Sequence, residues 1–192
     1  MENDPKKLET ITLGAGCFWC LEAVFLAMKG VRSVQSGYLG GHEDAPSYER
    51  VCSGDTGHAE AVRIEFDPEV VSFEDLLEVF FEIHDPTTLN RQGNDIGSQY
   101  RSAIYCYGAE QRAQADATRE QFQVALAKRG YGAITTEIRG GKHGDETPPF
   151  YYAEEYHQQY LAKNPGGYCG LAGTGAAGGD ANGGDAGDGG VG

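Results

Sequence analysis

Two cysteines separated by two aromatic residues, Cys17-Phe18-Trp19-Cys20, stand where a strand hands over to a helix. Thr10 to Leu13 is a short β-rich run, and Gly14 and Gly16 supply the small residues that a tight turn needs. From Phe18 onward the apolar residues Leu21, Phe25 and Met28 recur at spacings of three and four, and Gly30 stops the pattern. Cys17 therefore falls at a helix N-terminus. Unpaired backbone N–H groups and the positive end of the helix dipole favour thiolate over thiol there, so nucleophilic thiolate chemistry is expected.

Three other readings compete. A free cysteine can be a small buried hydrophobe. A Cys-x-x-Cys pair can be half of a zinc site, but Cys52, Cys106 and Cys169 are scattered singly and offer no second pair, so no metal is expected. The pair can also be a thioredoxin-like dithiol. Here the intervening residues are Phe18 and Trp19, which would wall a pocket beside Cys17 and so point to a substrate as well as to electron exchange.

The chain of 192 residues is long enough for one domain with a substantial core. From Gly170 to the end it is glycine, alanine and aspartate with few large apolar side chains, a composition that cannot offset its own ordering entropy and reads as a disordered tail. The formal net charge is −14, and the tail adds only Asp180, Asp185 and Asp188 to it, so the acidity belongs to the domain surface. Fifteen basic residues are dispersed among 29 acidic ones, which argues against nucleic acid and against anionic membranes as partners. No apolar run approaches the ~18 residues of a membrane span, and the first ten residues lack the apolar core of a signal peptide. A cytoplasmic protein is expected, with its five cysteines mostly reduced and any disulfide transient and catalytic.

Val31 to Tyr38 alternates as a second strand, followed by the Gly40-Gly41 turn and a polar loop. His58 to Phe66 reads as a half-buried strand, and Ser72-Phe73-Glu74-Asp75 opens a helix through Phe80 and Ile83 in the manner of a capping box. A long loop spans about Asp85 to Gln99, and loops of that length are more often functional than filler. Arg101 to Tyr107 reads as a strand, Ala109 to Lys128 as an amphipathic helix, Ile134 to Ile138 as a strand, and Pro149 to Lys163 as a closing stretch with a helix. Strands alternating with helices predict an α/β or α+β fold, most simply a two-layer sandwich.

Gly16-Cys17-Phe18-Trp19 at a helix start resembles the peptide methionine sulfoxide reductases of class A. The likeness continues through Ser36-Gly37-Tyr38, Ser53 to Glu60, His84-Asp85-Pro86, Asp95 with Gln99-Tyr100-Arg101-Ser102, Thr147 to Glu154, and Asn164-Pro165 leading to Tyr168-Cys169-Gly170. These blocks stand in order over nearly all of Leu8 to Leu171. The resemblance implies an α+β fold with a ferredoxin-like core and a catalytic domain over residues 1–171, and composition leaves 172–192 as the disordered acidic tail.

It further implies reduction of methionine S-sulfoxide, free or in proteins, to methionine. Cys17 would attack the sulfoxide sulfur and end as a sulfenic acid, an oxidation state that another thiol can reverse. The departing oxygen needs a proton from a neutral acid. Glu60 fits if burial raises it from the usual value of about 4.3. Tyr38 and Tyr100 would offer hydrogen bonds to the sulfoxide oxygen, Asp95 would orient its neighbours, and Phe18 and Trp19 would hold the terminal methyl group. Cys169, among the freely turning Gly166, Gly167 and Gly170, is the expected resolving cysteine, forming a Cys17–Cys169 disulfide that thioredoxin, or dithiothreitol in vitro, would reduce.

Many relatives carry a further cysteine after the one matching Cys169. This chain has Ala176-Ala177 there, so regeneration through a single internal disulfide is expected. Cys20 is read as structural, because residues three apart on a regular helix are poorly placed for a disulfide. Cys52 and Cys106 are read as buried, and His42, His84, His143 and His157 are given no chemistry. Two rival functions remain in view. One is a domain that binds methionine sulfoxide without turnover; the other is a cysteine hydrolase with His58 as the base for Cys17.

Overall fold

The structure, a computed structural model, describes residues 7–176. The chain runs through β1 (Glu9–Gly14), α1 (Phe18–Leu26), β2 (Val31–Leu39), a short α2 (Tyr48–Cys52), β3 (Ala59–Phe66) and α3 (Phe73–Ile83). A small hairpin of β4 (Arg91–Gln92) and β5 (Asp95–Ile96) leads through a 3-10 turn at Ser98–Tyr100 into β6 (Ala103–Tyr105). The long α4 (Ala109–Lys128), β7 (Glu137–Arg139), β8 (Tyr151–Tyr152) and α5 (Tyr160–Lys163) complete it. In the six-stranded sheet the order is β7-β6-β1-β3-β2-β8. Its middle, β6-β1-β3-β2, is antiparallel throughout, and with α1 and α3 it forms the ferredoxin-like β-α-β-β-α-β core. The expected α+β sandwich is therefore present, with β7 added parallel to β6 and β8 antiparallel to β2 at the two edges.

Period-two alternation fixes which face each strand buries. Ile11 and Leu13, Val34, and Val62, Ile64 and Phe66 form one core with Phe18, Leu21 and Phe25 of α1 and with Phe73, Leu77, Phe80 and Phe81 of α3. Each fully buried side chain of this kind contributes about 1.5–3 kcal/mol relative to exposure. Leu39, Ala61, Ala103 and Tyr105 form a second, smaller cluster with Phe150. The capping box at Ser72 is formed as its spacing predicts: the Asp75 amide donates to Ser72 Oγ at 3.0 Å, and the Ser72 amide donates to Asp75 Oδ2 at 3.1 Å.

Several expectations are corrected. The strand placed at Arg101 to Tyr107 shrinks to Ala103–Tyr105, and the one at Ile134 to Ile138 becomes Glu137–Arg139. The loop from Asp85 to Gln99 carries the β4–β5 hairpin, fastened by Gln92, whose side chain accepts from the Asp85 amide and donates to the Asp85 carbonyl. The closing stretch holds β8 and only a four-residue helix. The start of the expected tail is packed. Ala176 lies in a cluster with Ala125 and Leu126 of α4, and a Cβ on Gly173 would collide with the Glu82 carbonyl oxygen, an approach only a small residue permits. The rest of that tail, residues 177–192, lies outside the described residues, as do residues 1–6.

Gly16, the residue before Cys17, has φ +92°, and a Cβ there would stand 2.9 Å from Gln92 Cβ. The turn that presents the cysteine is thus locked to the hairpin loop by a position that only glycine satisfies. We predict that Gly16→Ala lowers stability by about 1–3 kcal/mol, read from the denaturant midpoint. An unchanged midpoint would mean that the turn is not held in this conformation.

Candidate functional site

Cys17 is the N-cap residue of α1. Glu60 stands on β3, on the same face as Val62, Ile64 and Phe66, and its direct cross-strand partner is Tyr38 on β2. Two adjacent strands therefore bring a carboxyl group and a phenol side by side beneath the start of α1. The Phe18 amide donates to Glu60 Oε1 at 3.5 Å, which ties the carboxyl to the first turn of the helix. Asp95 reaches the same region from β5, and Tyr100 from the 3-10 turn: both are among the groups that act electrostatically on Cys17, Glu60 or one another.

Glu60 is only 2% exposed. Burial pushes its carboxyl up to about 8; the Phe18 amide opposes the shift and Asp95 adds to it. Burial likewise pushes the Cys17 thiol up to about 12, with Glu60 as the next cause, while the amides of Trp19 and Cys20 pull it down. The expected thiolate is thus corrected. The helix amides do point at the sulfur, but desolvation outweighs them, and both groups of the resting pair hold their protons at neutral pH. Tyr38 and Tyr100 are pushed upward too, chiefly by burial, so both are neutral donors.

The remainder of the site comes from residues with no local signature. Glu154 accepts from the Tyr38 hydroxyl at 3.1 Å and from the Tyr48 amide at 3.0 Å. The Tyr38 proton is therefore committed to Glu154. His157, 1% exposed, accepts from the Trp19 indole N–H at 3.0 Å through Nδ1, and its Nε2 lies 3.4 Å from Glu154 Oε2. Burial holds His157 low and neutral, as accepting through Nδ1 requires. Trp19 also stacks on Tyr160 with centroids 3.8 Å apart, and Phe18 packs against Tyr38 and His157. His157, given no chemistry from the sequence, thus fixes the orientation of the Trp19 indole. One signal existed: Glu154 ends a matched block, and His157 follows three residues later.

Cys106 is buried as expected, but Cys52 is exposed and hydrogen-bonded to Tyr48. His58 takes the Gly41 amide on Nδ1 and sets Nε2 against the Glu43 carbonyl. Both of its nitrogens are used to hold the Gly40-Gly41 loop, which removes the base that a cysteine hydrolase would need. His84 is likewise spent on the Phe80 carbonyl and the Ser102 hydroxyl. Cys169 is disulfide-bonded to Cys20, with Cα atoms 5.5 Å apart, while Cys17 is free. The pairing expected from the sequence was Cys17–Cys169. Among the described residues, no group of three or more His, Cys, Asp or Glu could hold a metal ion, and no helix is long and apolar enough to cross a membrane.

Because Glu60 titrates higher in the folded chain than the 4.5 of an unperturbed glutamate, its contribution to stability is complete below about pH 4.5 and is lost as pH rises to about 8. We predict that Glu60→Gln, which cannot ionise, gains a few kcal/mol over the parent chain between pH 5 and 8 in denaturant titrations. Parallel pH profiles of the two proteins would show that the carboxyl ionises freely.

A family model described as peptide methionine sulfoxide reductase matches residues 9–177. A curated relative named peptide methionine sulfoxide reductase MsrA, from Azotobacter vinelandii, is 58% identical over 171 residues, covering 89% of this chain and 76% of that protein. Among solved structures, methionine sulfoxide reductase A of Corynebacterium diphtheriae superposes with a TM-score of 0.80 at 42% identity, over 88% of this chain and 80% of its own. Mxr1 from Saccharomyces cerevisiae, solved in complex with Trx2, does so with a TM-score of 0.56 at 25% identity, over 89% and 92%. A ferredoxin-like core that carries a buried carboxyl beside a helix-capping cysteine thus meets full-length likeness in sequence and structure, and the chain belongs to the peptide methionine sulfoxide reductase family, an oxidoreductase acting on methionine sulfoxide.

Proposed function

We propose that the chain reduces the S epimer of methionine sulfoxide, free or in oxidised proteins, with Cys17 as nucleophile and Glu60 as acid. The observation that carries this reading is the neutral, buried Glu60 next to Cys17. Among the described residues, the groups acting on the pair besides each other are the Asp95 carboxyl and backbone amides, with no cation among them, so a path that separates charge there is costly. Protons and electrons then move together. The Glu60 proton passes to the sulfoxide oxygen while the Cys17 sulfur bonds to that oxygen's sulfur centre, and the Glu60 carboxylate takes up the thiol proton. The sulfur–oxygen bond and the new bond to Cys17 then break as the hydroxyl passes to the Cys17 sulfur, so that methionine leaves, Cys17 is a sulfenic acid, and Glu60 is again neutral. Tyr100 donates to the sulfoxide oxygen, and Tyr38 does so once the substrate displaces its bond to Glu154. Asp95 orients the network. Phe18 and the clamped Trp19 form the apolar wall for the methyl group, so the epimer is chosen by which substituent meets it.

Cys169 resolves the sulfenic acid, releasing water. The complex of Mxr1 with Trx2 supports thioredoxin as the reductant that closes the cycle, with dithiothreitol serving in vitro. We place the reaction in the cytoplasm, where the cysteines stay reduced between turnovers, and we assign it to repair after oxidative damage. Residues 1–171 carry the catalytic machinery, and 172–192 are accessory to it.

Supplying each sulfoxide epimer with and without reductant tests this directly. Catalytic turnover is expected for the S epimer alone and only with dithiothreitol or thioredoxin; sustained turnover without reductant would defeat the reading. We predict that Cys17→Ser forms no methionine, because an alcohol is too weak a nucleophile. Glu60→Gln should slow the single-turnover rate by about 10²-fold to 10⁴-fold with a smaller change in affinity. A single-turnover rate equal to that of the parent would assign the proton to another group.

A further inference from the structure

We infer that Cys20 is a relay thiol, which takes Cys169 over from Cys17 so that the Cys20–Cys169 disulfide is the form met by the external reductant. The inference rests on the assignment of Cys17 as nucleophile. Three observations carry it. Cys169 is bonded to Cys20 across 149 residues of sequence, while Cys17, the residue that is oxidised, is free. Cys17 and Cys20 are one turn apart at the start of α1, a spacing that sets Cβ atoms about 5–6 Å from each other, so a sulfur lodged at one needs a shift of about one turn to reach the other. The two partners also differ in access: Cys20 is 1% exposed, whereas Cys169 is exposed.

The segment that bears Cys169 is able to make such a shift. It is held at both ends, by Trp19 stacked on Tyr160 of α5 before it and by Ala176 packed on Ala125 and Leu126 after it. Between these anchors lie Gly166, Gly167 and Gly170. Cys169 is thus on a glycine-bearing loop between two anchors, with enough chain on either side to shift by one turn of α1.

The steps balance. Methionine sulfoxide oxidises Cys17 to sulfenic acid and leaves as methionine; the Cys169 thiol condenses with the sulfenic acid, losing water and forming the Cys17–Cys169 bond. The Cys20 thiolate then attacks the Cys169 sulfur. The Cys17–Cys169 bond breaks, the Cys20–Cys169 bond forms, and Cys17 leaves as a thiolate that takes up the proton given by Cys20. No net oxidation accompanies this exchange. Cys17 is restored and reduces a second sulfoxide before any reductant arrives. One thiol of an incoming dithiol attacks Cys169, the accessible sulfur, and expels Cys20 as a thiol; its second thiol then attacks the mixed disulfide, releasing Cys169 as a thiol and leaving the dithiol oxidised.

The test uses fully reduced protein freed of reductant, given excess methionine S-sulfoxide, with methionine counted per chain and disulfides mapped by peptide mass spectrometry. Two methionines per chain and a Cys20–Cys169 linked peptide are expected, falling to one methionine and a Cys17–Cys169 link in Cys20→Ala. One methionine per chain in the parent, or a Cys17–Cys169 link as its end state, would overturn the relay. Should Cys20→Ala fail to fold, count and map on the parent protein decide alone. A parent that forms no methionine at all would refute the Cys17 assignment itself, and the relay with it.

Discussion

A carboxyl group shut away from water beneath a helix N-terminus is the constraint on which this site depends. Glu60 is 2% exposed, has Tyr38 as its cross-strand neighbour, and is tied to α1 by a long bond from the Phe18 amide. Desolvation outweighs that amide and keeps the group neutral. The same dryness holds the proton on Cys17 and lifts the phenols of Tyr38 and Tyr100. The site is therefore a store of protons rather than of charge, which suits a reaction whose poor leaving group is an oxygen that must be protonated.

The fold supplies that dryness with few elements. Antiparallel pairing of β2 and β3 fixes Glu60 and Tyr38 side by side, and the β4–β5 hairpin, wedged on Gly16 through Gln92, closes the side from which Asp95 arrives. The C-terminal segment forms the remaining wall: Glu154 holds Tyr38, His157 holds Trp19, and Tyr160 covers the indole face. Gln158 anchors this segment by bonding the Ser36 amide and carbonyl as well as the Ala153 carbonyl. Trp19, through His157 and Tyr160, and the loop bearing Cys169 thus depend on a segment fastened to one strand of the sheet.

What was legible in the sequence was what local geometry decides. The helix beginning at Phe18 and the capping box at Ser72 follow from periodicity and short-range hydrogen bonding. The two-residue strands β4, β5 and β8 are too short to show a period, and α2 is a five-residue helix inside a polar loop. Protonation of Cys17 was misjudged for a related reason. The helix amides are visible in the sequence, whereas the desolvation that overrides them comes from residues far along the chain. His157 and Glu154 matter through contacts with Trp19, Tyr38 and Tyr48, more than a hundred positions away, so their own neighbours in sequence do not announce them. The pairing of Cys169 with Cys20 is of the same kind: the path of the C-terminal segment decides which of two cysteines one turn apart it meets.

The central claim, that Glu60 enters the reaction as a neutral acid because it is buried, is tested most directly by its own titration. The carbon-13 shift of the Glu60 carboxyl, assigned by its disappearance in Glu60→Gln, can be followed from pH 3 to pH 10. The account predicts a midpoint near 8. A midpoint near 4.5, the value of an unperturbed glutamate, would contradict it.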